Sequence, residues 1–165
     1  MNLRDKINED IKSAMKSGLS EEVSTLRFLN SAIKNKELEK RTRLSKEGKS
    51  TDELEKLSEL SDEEVIGVVL SEVKKRKDSI SQYETGGRED LANKEKSELG
   101  ILKKYAPEEM PEDELRSIVK RKLVEMGADQ KDFGKIMGSI MAEVKGKADG
   151  GIVKKIIEEE MKNEA

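Results

Sequence analysis

The sequence predicts an all-α protein, with a four-helix N-terminal domain followed by a small three-helix domain, and three observations carry that expectation. Pro107 and Pro111 are the only prolines in a chain rich in Glu, Lys, Leu and Ala, so consecutive helices can run through most of it. Apolar residues recur at three- and four-residue spacing, which lines up one face of a helix. Runs that read as strands are absent.

In chain order, Leu3, Ile7, Ile11, Ala14 and Met15 share one face of a first helix, and Gly18 is its natural left-handed stop. Ser20 with Glu21 and Glu22 starts a second, with Val23, Leu26, Leu29 and Ile33 on one face and an end near Arg43. Residues 44–60 have Gly48, polar side chains and weak periodicity, which predicts a mobile connection with room for one short helical turn after Thr51 and no functional role. Ser61 through Glu64 reads as a capping box, with Leu60 and Val65 placed as a hydrophobic staple, so the third helix starts at Asp62 and ends at Gly86 and Gly87. A fourth, Arg88 to Tyr105, carries Leu91, Leu99 and Leu102 inward until Ala106-Pro107 and Met110-Pro111 break the chain.

The boundary between the domains, 1–106 and 107–165, is set at that break. Beyond it, three helices are expected: about 111–126 with Leu115, Ile118, Val119 and Leu123, then Asp132 to Val144, then Gly150 to Met161, with Gly127 and Gly146 as stops. A domain of this size with Phe133 as its only Phe has little surface to bury, which leaves it to lean on the first domain or on a partner.

Leu, Ile, Val and Phe together number 38, above the roughly 20% below which highly charged chains stay unfolded, so folded domains with thin cores are expected. The 33 basic and 36 acidic residues nearly balance, but they are sorted: basic over 27–49 and 131–155, acidic over 50–64 and 108–114. With neither His nor Cys, the near-neutral proton shuttle, the usual zinc ligands and the thiolate nucleophile are missing, and no metal or other cofactor is expected. Residues 1–20 contain no apolar signal core and no spanning stretch, from which a cytoplasmic protein without membrane partners is expected.

Two constellations could carry a function. On a helical wheel for 132–144, Phe133, Ile136, Met137, Ile140, Met141 and Val144 form the core stripe, while Lys135, Gly138, Ser139 and Ala142 lie opposite, with Gly134 at the border. A mid-helix glycine costs about 1 kcal/mol relative to alanine, so two of them call for a backbone that approaches closely. That backbone is either the first domain, on which this helix would pack tightly, or the sugar-phosphate chain of a nucleic acid. Lys145-Gly146-Lys147 then leads through Asp149 to the start of the last helix, where free amides could hold a phosphate. An ordinary solvated turn reads the same way. A Walker loop is excluded, since no glycine stands four residues before Gly146-Lys147 and no Ser or Thr follows.

The basic residues of 27–49 and Lys74-Lys75-Arg76-Lys77 have the look of solvated helix faces, except that Arg76 falls within the stripe Ile66, Val69, Val73, Ile80, Tyr83. Glu95 and Glu98 fall similarly between Leu91 and Leu102, which predicts a cross-helix ion pair provided the groups come within about 6 Å. The alternative is that Arg76 snorkels and both glutamates are solvated.

Asp132-Phe133-Gly134-Lys135-Ile136-Met137-Gly138 and Val144-Lys145-Gly146-Lys147-Ala148-Asp149-Gly150 resemble the YqeY-like family. So do Asp10 to Lys16, Leu26-Arg27, Ile33-Lys34-Asn35, Lys77-Asp78-Ser79, Gly87 to Leu91 and Tyr105-Ala106-Pro107, and the resemblance covers nearly the whole chain. Phe133 stands where Met or Leu is usual, Ala106 replaces a customary Leu, and the 43–60 connection is long. The family's second domain is similar to the tail domain found in one subunit of the tRNA-dependent amidotransferase. The resemblance therefore implies four plus three helices and a tRNA-related role. The label "glutamine-dependent carbon-nitrogen ligase" that accompanies such families fits poorly, because a Cys-His glutaminase is impossible here and the Ser-Ser-Lys amidase signature is absent.

The expectation is a noncatalytic module that binds tRNA or another structured RNA through Lys135, Lys145 and Lys147, with Gly134, Gly138 and Gly146 permitting close approach. Four aromatic residues in all, and two arginines after residue 100, leave little for stacking or bidentate base readout, so recognition by shape is expected. An adaptor that docks the same face on an amidotransferase or translation component is the alternative, and an amidotransferase acting alone is a third reading with no residues to support it.

Overall fold

A computed structural model of the chain describes residues 1–127, 133–144 and 146–164, and all the regular structure among them is helical. Eight helices are present among the described residues: α1 (Leu3–Lys16), α2 (Ser20–Lys46), α3 (Thr51–Leu57), α4 (Asp62–Thr85), α5 (Glu89–Lys103), α6 (Glu112–Met126), α7 (Phe133–Val144) and α8 (Gly150–Glu164). They group into two compact units, Met1–Ala106 and Pro107–Ala165.

In the first unit the Asn2 side chain accepts the Asp5 amide at 2.8 Å and caps α1, which buries Ile7, Ile11 and Ala14. The chain reverses through Gly18, at φ +70°, into α2, whose Leu26, Leu29 and Ile33 are fully buried. This unit holds five helices where the sequence predicts four. The expected connection over 44–60 is the last turn of α2, a short loop through Gly48, and α3, which Ser50 and Glu53 start with a reciprocal capping box. Leu54 buries and anchors it. One buried leucine in seven residues makes a weak periodic signal, which is why the helix is hard to see in the sequence.

α4 begins at Asp62 with the Ser61–Glu64 capping box: Glu64 accepts the Ser61 amide at 2.8 Å and Ser61 accepts the Glu64 amide at 3.3 Å. It turns back at Gly86 and Gly87 into α5, its most extensive packing partner. The core joins Ile7 and Ile11 of α1, Leu26, Leu29 and Ile33 of α2, Val65, Val69 and Val73 of α4, and Leu102 and Tyr105 at the end of α5. Leu60 packs on it from the edge.

The second unit is α6, α7 and α8 around Leu115, Val119, Leu123, Ile136, Ile140, Val144, Val153, Ile156 and Ile157. Gly127 ends α6 in the left-handed conformation at φ +61°. The Met110 amide donates to the Lys147 carbonyl at 2.8 Å, pinning the segment before α6 to the turn between α7 and α8. The expected helix start at Asp132 lies outside the described residues.

Candidate functional site

α7 divides as its periodicity requires. Ile136, Ile140 and Val144 are fully buried, and Phe133, Met137 and Met141 pack partly buried on the same core. Gly134, Lys135, Gly138 and Ala142 are exposed on the other side, with Ser139 half-buried. Among the described residues of this unit, a methyl group added at Gly134 or Gly138 would meet nothing within 4 Å. Neither glycine is therefore explained by close packing on α6 or α8, and their conformational cost is not repaid within the unit.

The turn after α7 holds Gly146, at φ +77°, and the exposed Lys147, whose amide donates to the Val144 carbonyl at 2.9 Å. Both of its backbone groups are thus engaged, since its carbonyl takes the Met110 amide. Lys145 lies outside the described residues.

The start of α8 differs from the expected phosphate cradle. The Asp149 side chain accepts the Gly151 amide at 2.8 Å, so the helix already carries its own carboxylate at its positive end. A phosphate there would meet a negative charge and displace a cap. Of the two glycines that follow, Gly151 has a local reason, since an added Cβ there would lie 2.9 Å from Asp149 Oδ1, whereas at Gly150 it would make ordinary contact, 3.7 Å from Met137 Cε. What remains of the sequence-derived site is an open, smooth face with Gly134, Lys135 and Gly138 on α7, and Gly146 and Lys147 in the following turn.

Sequence reasoning missed the charges beside this face. Glu143, exposed on α7, bonds Arg121 and lies 3.4 Å from Lys122, both on α6. Partial desolvation opposes its ionisation, but the hydrogen bonds from Arg121 and Lys122 outweigh it and hold its carboxyl below the usual range. The face is thereby bordered by Arg121 and Lys122 of α6 as well as by Lys135 and Lys147. Also missed was the cluster joining α6 to α8: Arg116 donates to Glu160 at 2.7 Å, Glu159 at 2.9 Å and Glu112 at 3.0 Å, and Glu160 is buried. These bonds raise the Arg116 pKa and fix the helices' register. An acid placed three and four residues after Ile157 and Ile156 was the available signal.

In the first unit, Arg76 Nε lies 3.0 Å from Glu98 Oε2 and 3.4 Å from Glu95 Oε2. Arg76 Nη1 is also 3.4 Å from Glu72, a residue 3% exposed that accepts Lys75 Nζ at 2.7 Å, and the Arg76 guanidinium sits 5.0 Å from the Phe28 ring centre. Glu72 and Phe28 were not anticipated, although Glu72 stands one helical turn before Arg76. The cluster ties α2, α4 and α5 together and presents no reactive group. Tyr105 donates to Asp10 at 2.7 Å, and burial together with that carboxylate pushes its phenol above the ordinary value, so it serves as a fixed donor. No helix among the described residues is long and apolar enough to cross a membrane.

Comparison with known proteins gives a match to a family model described as Yqey-like protein over residues 4–161. Altered inheritance of mitochondria protein 41, mitochondrial, from Pyrenophora tritici-repentis is 27% identical over 157 residues, covering 93% of this chain and 78% of the relative. The proteins of the same name from Vanderwaltozyma polyspora and Saccharomyces cerevisiae strain YJM789 are 34% and 33% identical over 99 and 96 residues, which is 60% and 58% of this chain and 45% and 44% of theirs. The chain thus matches less than half the length of these two yeast relatives. Their mitochondrial names overturn the expectation of a cytoplasmic protein. That expectation rested on the lack of an apolar signal core in residues 1–20, and such a lack carries no address.

Proposed function

The chain belongs to the YqeY-like family, and from that premise we propose that it is a noncatalytic helical module that binds structured RNA, tRNA first of all. Contact runs through Lys135, Lys145 and Lys147 to phosphates, with Gly134 and Gly138 admitting the sugar-phosphate backbone. The observation that carries the reading is the space over both glycines within their unit, where a methyl at either meets nothing of the described residues within 4 Å. The resemblance of this segment to the tail domain of an amidotransferase subunit supports the choice of tRNA. The Asp149 cap narrows the site: phosphate binds at the lysine side chains and beside α7, not at the end of α8.

Binding of this kind gains affinity from counterion release and little from base readout. Total tRNA titrated against the full chain should give an affinity that falls steeply with salt. Replacing Lys145 and Lys147 together by Ala should weaken it and flatten the salt dependence, and unchanged binding would refute the site. If the face instead docks on an amidotransferase or translation component, purified chain will ignore tRNA at low salt and retain a protein in a high-salt pulldown. An amidotransferase acting alone would release ammonia from glutamine, and none is expected from a chain without Cys or His.

A further inference from the structure

The distal half of α2 has no explanation in the core. Its buried residues end at Ile33, yet the helix continues for thirteen more residues, about 20 Å at the usual rise. Over residues 34–46 the sequence places six basic residues against two acidic ones. Between this stretch and the first half of α4 lies a groove of about 820 Å³, with Lys36, Glu39, Lys40 and Arg43 on the α2 wall and Glu64, Gly67, Glu72 and Lys75 on the α4 wall, so its four cations exceed its three carboxylates by one.

The cations of the two walls are held differently. Lys40 is fixed, its Nζ 2.8 Å from Glu64 and 2.9 Å from the Glu59 carbonyl. Lys36 is 60% exposed and pairs with Glu39, itself 68% exposed, while Arg43, 69% exposed, stands 3.9 Å from Glu47. Lys75 is 64% exposed and reaches Glu72. The Lys36–Glu39 and Arg43–Glu47 pairs are exposed on both sides and contribute little, so Lys36 and Arg43 can exchange their partners for a stronger anion at small cost, whereas Lys75 also serves the buried Glu72. Lys36, Lys40 and Arg43 recur at four and three residues and so line about 10 Å of one helix face. Gly67, mid-helix in α4, is open: a Cβ there would meet nothing within 4 Å, so the wall is lowered where a ligand backbone would pass.

We propose that this groove is a second seat for the phosphodiester backbone of RNA, an inference that rests on the RNA-binding reading given above. A line of cations at helical spacing suits a ligand that carries its charges along a line. The lining holds no aromatic residue, and lysine is depleted at the core of protein interfaces, where aromatic anchors prevail. The Coulombic contribution is independent of base identity and adds to that of the second unit.

The test uses the full chain and total tRNA in a salt series, comparing the Lys36→Gln/Arg43→Gln/Lys75→Gln variant with Lys145→Ala/Lys147→Ala. The groove variant should weaken binding roughly tenfold at moderate salt and lower the slope of log K against log salt by about two to three, near one per cation lost. Gly67→Glu, which adds a carboxylate where a Cβ meets nothing within 4 Å, should weaken binding without lowering the thermal midpoint, which should hold or rise as helix propensity improves. Normal binding by both groove variants while the Lys145/Lys147 variant is impaired overturns the groove and leaves the function standing. Impairment by the groove variants alone supports the groove and overturns the α7 site. Wild-type chain that fails to bind tRNA at low salt overturns both, whereas groove variants that lose only a protein partner overturn the groove alone.

Discussion

Replacing Arg76 by alanine removes the guanidinium that Glu72, Glu95 and Glu98 share. Its side chain is 12% exposed and those of the three carboxylates 3%, 21% and 17%, so the acids it leaves behind are poorly solvated and face one another. Lys75 still reaches Glu72, but from the surface, and Glu95 Oε2 is buried with no hydrogen bond even in the intact protein. Removing one partner of a buried pair costs about 3–5 kcal/mol, and the partial exposure of Glu95 and Glu98 puts this case at the lower end, about 3 kcal/mol. Phe28 loses its cation as well, a contribution of about 0.5–1 kcal/mol already within that figure's uncertainty. For a unit of this size 1 kcal/mol corresponds to roughly 4 °C, so the transition of residues 1–106 should fall by about 12 °C in calorimetry or thermal circular dichroism. Arg76→Ala/Glu98→Ala should lose less than the sum of the two single changes, because each single change strands the other's charge. A drop of under about 1 kcal/mol for Arg76→Ala, the range of exposed pairs, would show that the cluster is solvated and refute the reasoning.

Gly134→Ala and Gly138→Ala should each stabilise the second unit by about 0.4–1 kcal/mol, since the added methyl meets nothing; they should also weaken tRNA binding, and a fall in melting temperature would mean the positions are packed after all. Asp149→Ala removes the α8 cap and should cost about 1 kcal/mol in thermal unfolding, while deleting a negative charge beside the site should tighten tRNA binding at low salt. Glu64 is held below its ordinary value of 4.5 by the Lys40 hydrogen bond and the Ser61 amide. A pKa depressed on folding contributes stability that is complete above pH 4.5 and is lost as pH falls through the lowered value. Glu64→Gln should therefore flatten the acid limb of the melting-temperature profile below pH 4.5, and a parallel profile would contradict the assignment.

What could be read in the sequence was what is local. The Ser61–Glu64 box, the Gly18 and Gly127 stops and the α7 stripe each depend on residues within one or two turns, and each can be recognised from spacing alone. α3 was legible only as a short turn after Thr51, because its Ser50–Glu53 cap precedes a single burying leucine, and its place against α2 is a tertiary matter. The Arg76 neighbourhood was legible where charges interrupt apolar stripes, but Phe28 belongs to a helix forty-eight residues away. At the candidate site, Asp149 was read as part of a turn although an Asp before a helix start is a standard cap. That Gly150 lies against the Met137 and Met141 methyls is a tertiary matter, which no spacing rule supplies. That Gly134 and Gly138 face open space could be posed as a question from sequence and answered only by the packing.

The central claim, that the lysine- and glycine-bearing face of the second unit holds RNA phosphates, meets its most direct test in the salt dependence of tRNA binding by the intact chain and by Lys145→Ala/Lys147→Ala. A linear fall of log K with log salt is expected, with a slope about two units shallower in the variant. Equal slopes and affinities for the two proteins would contradict it.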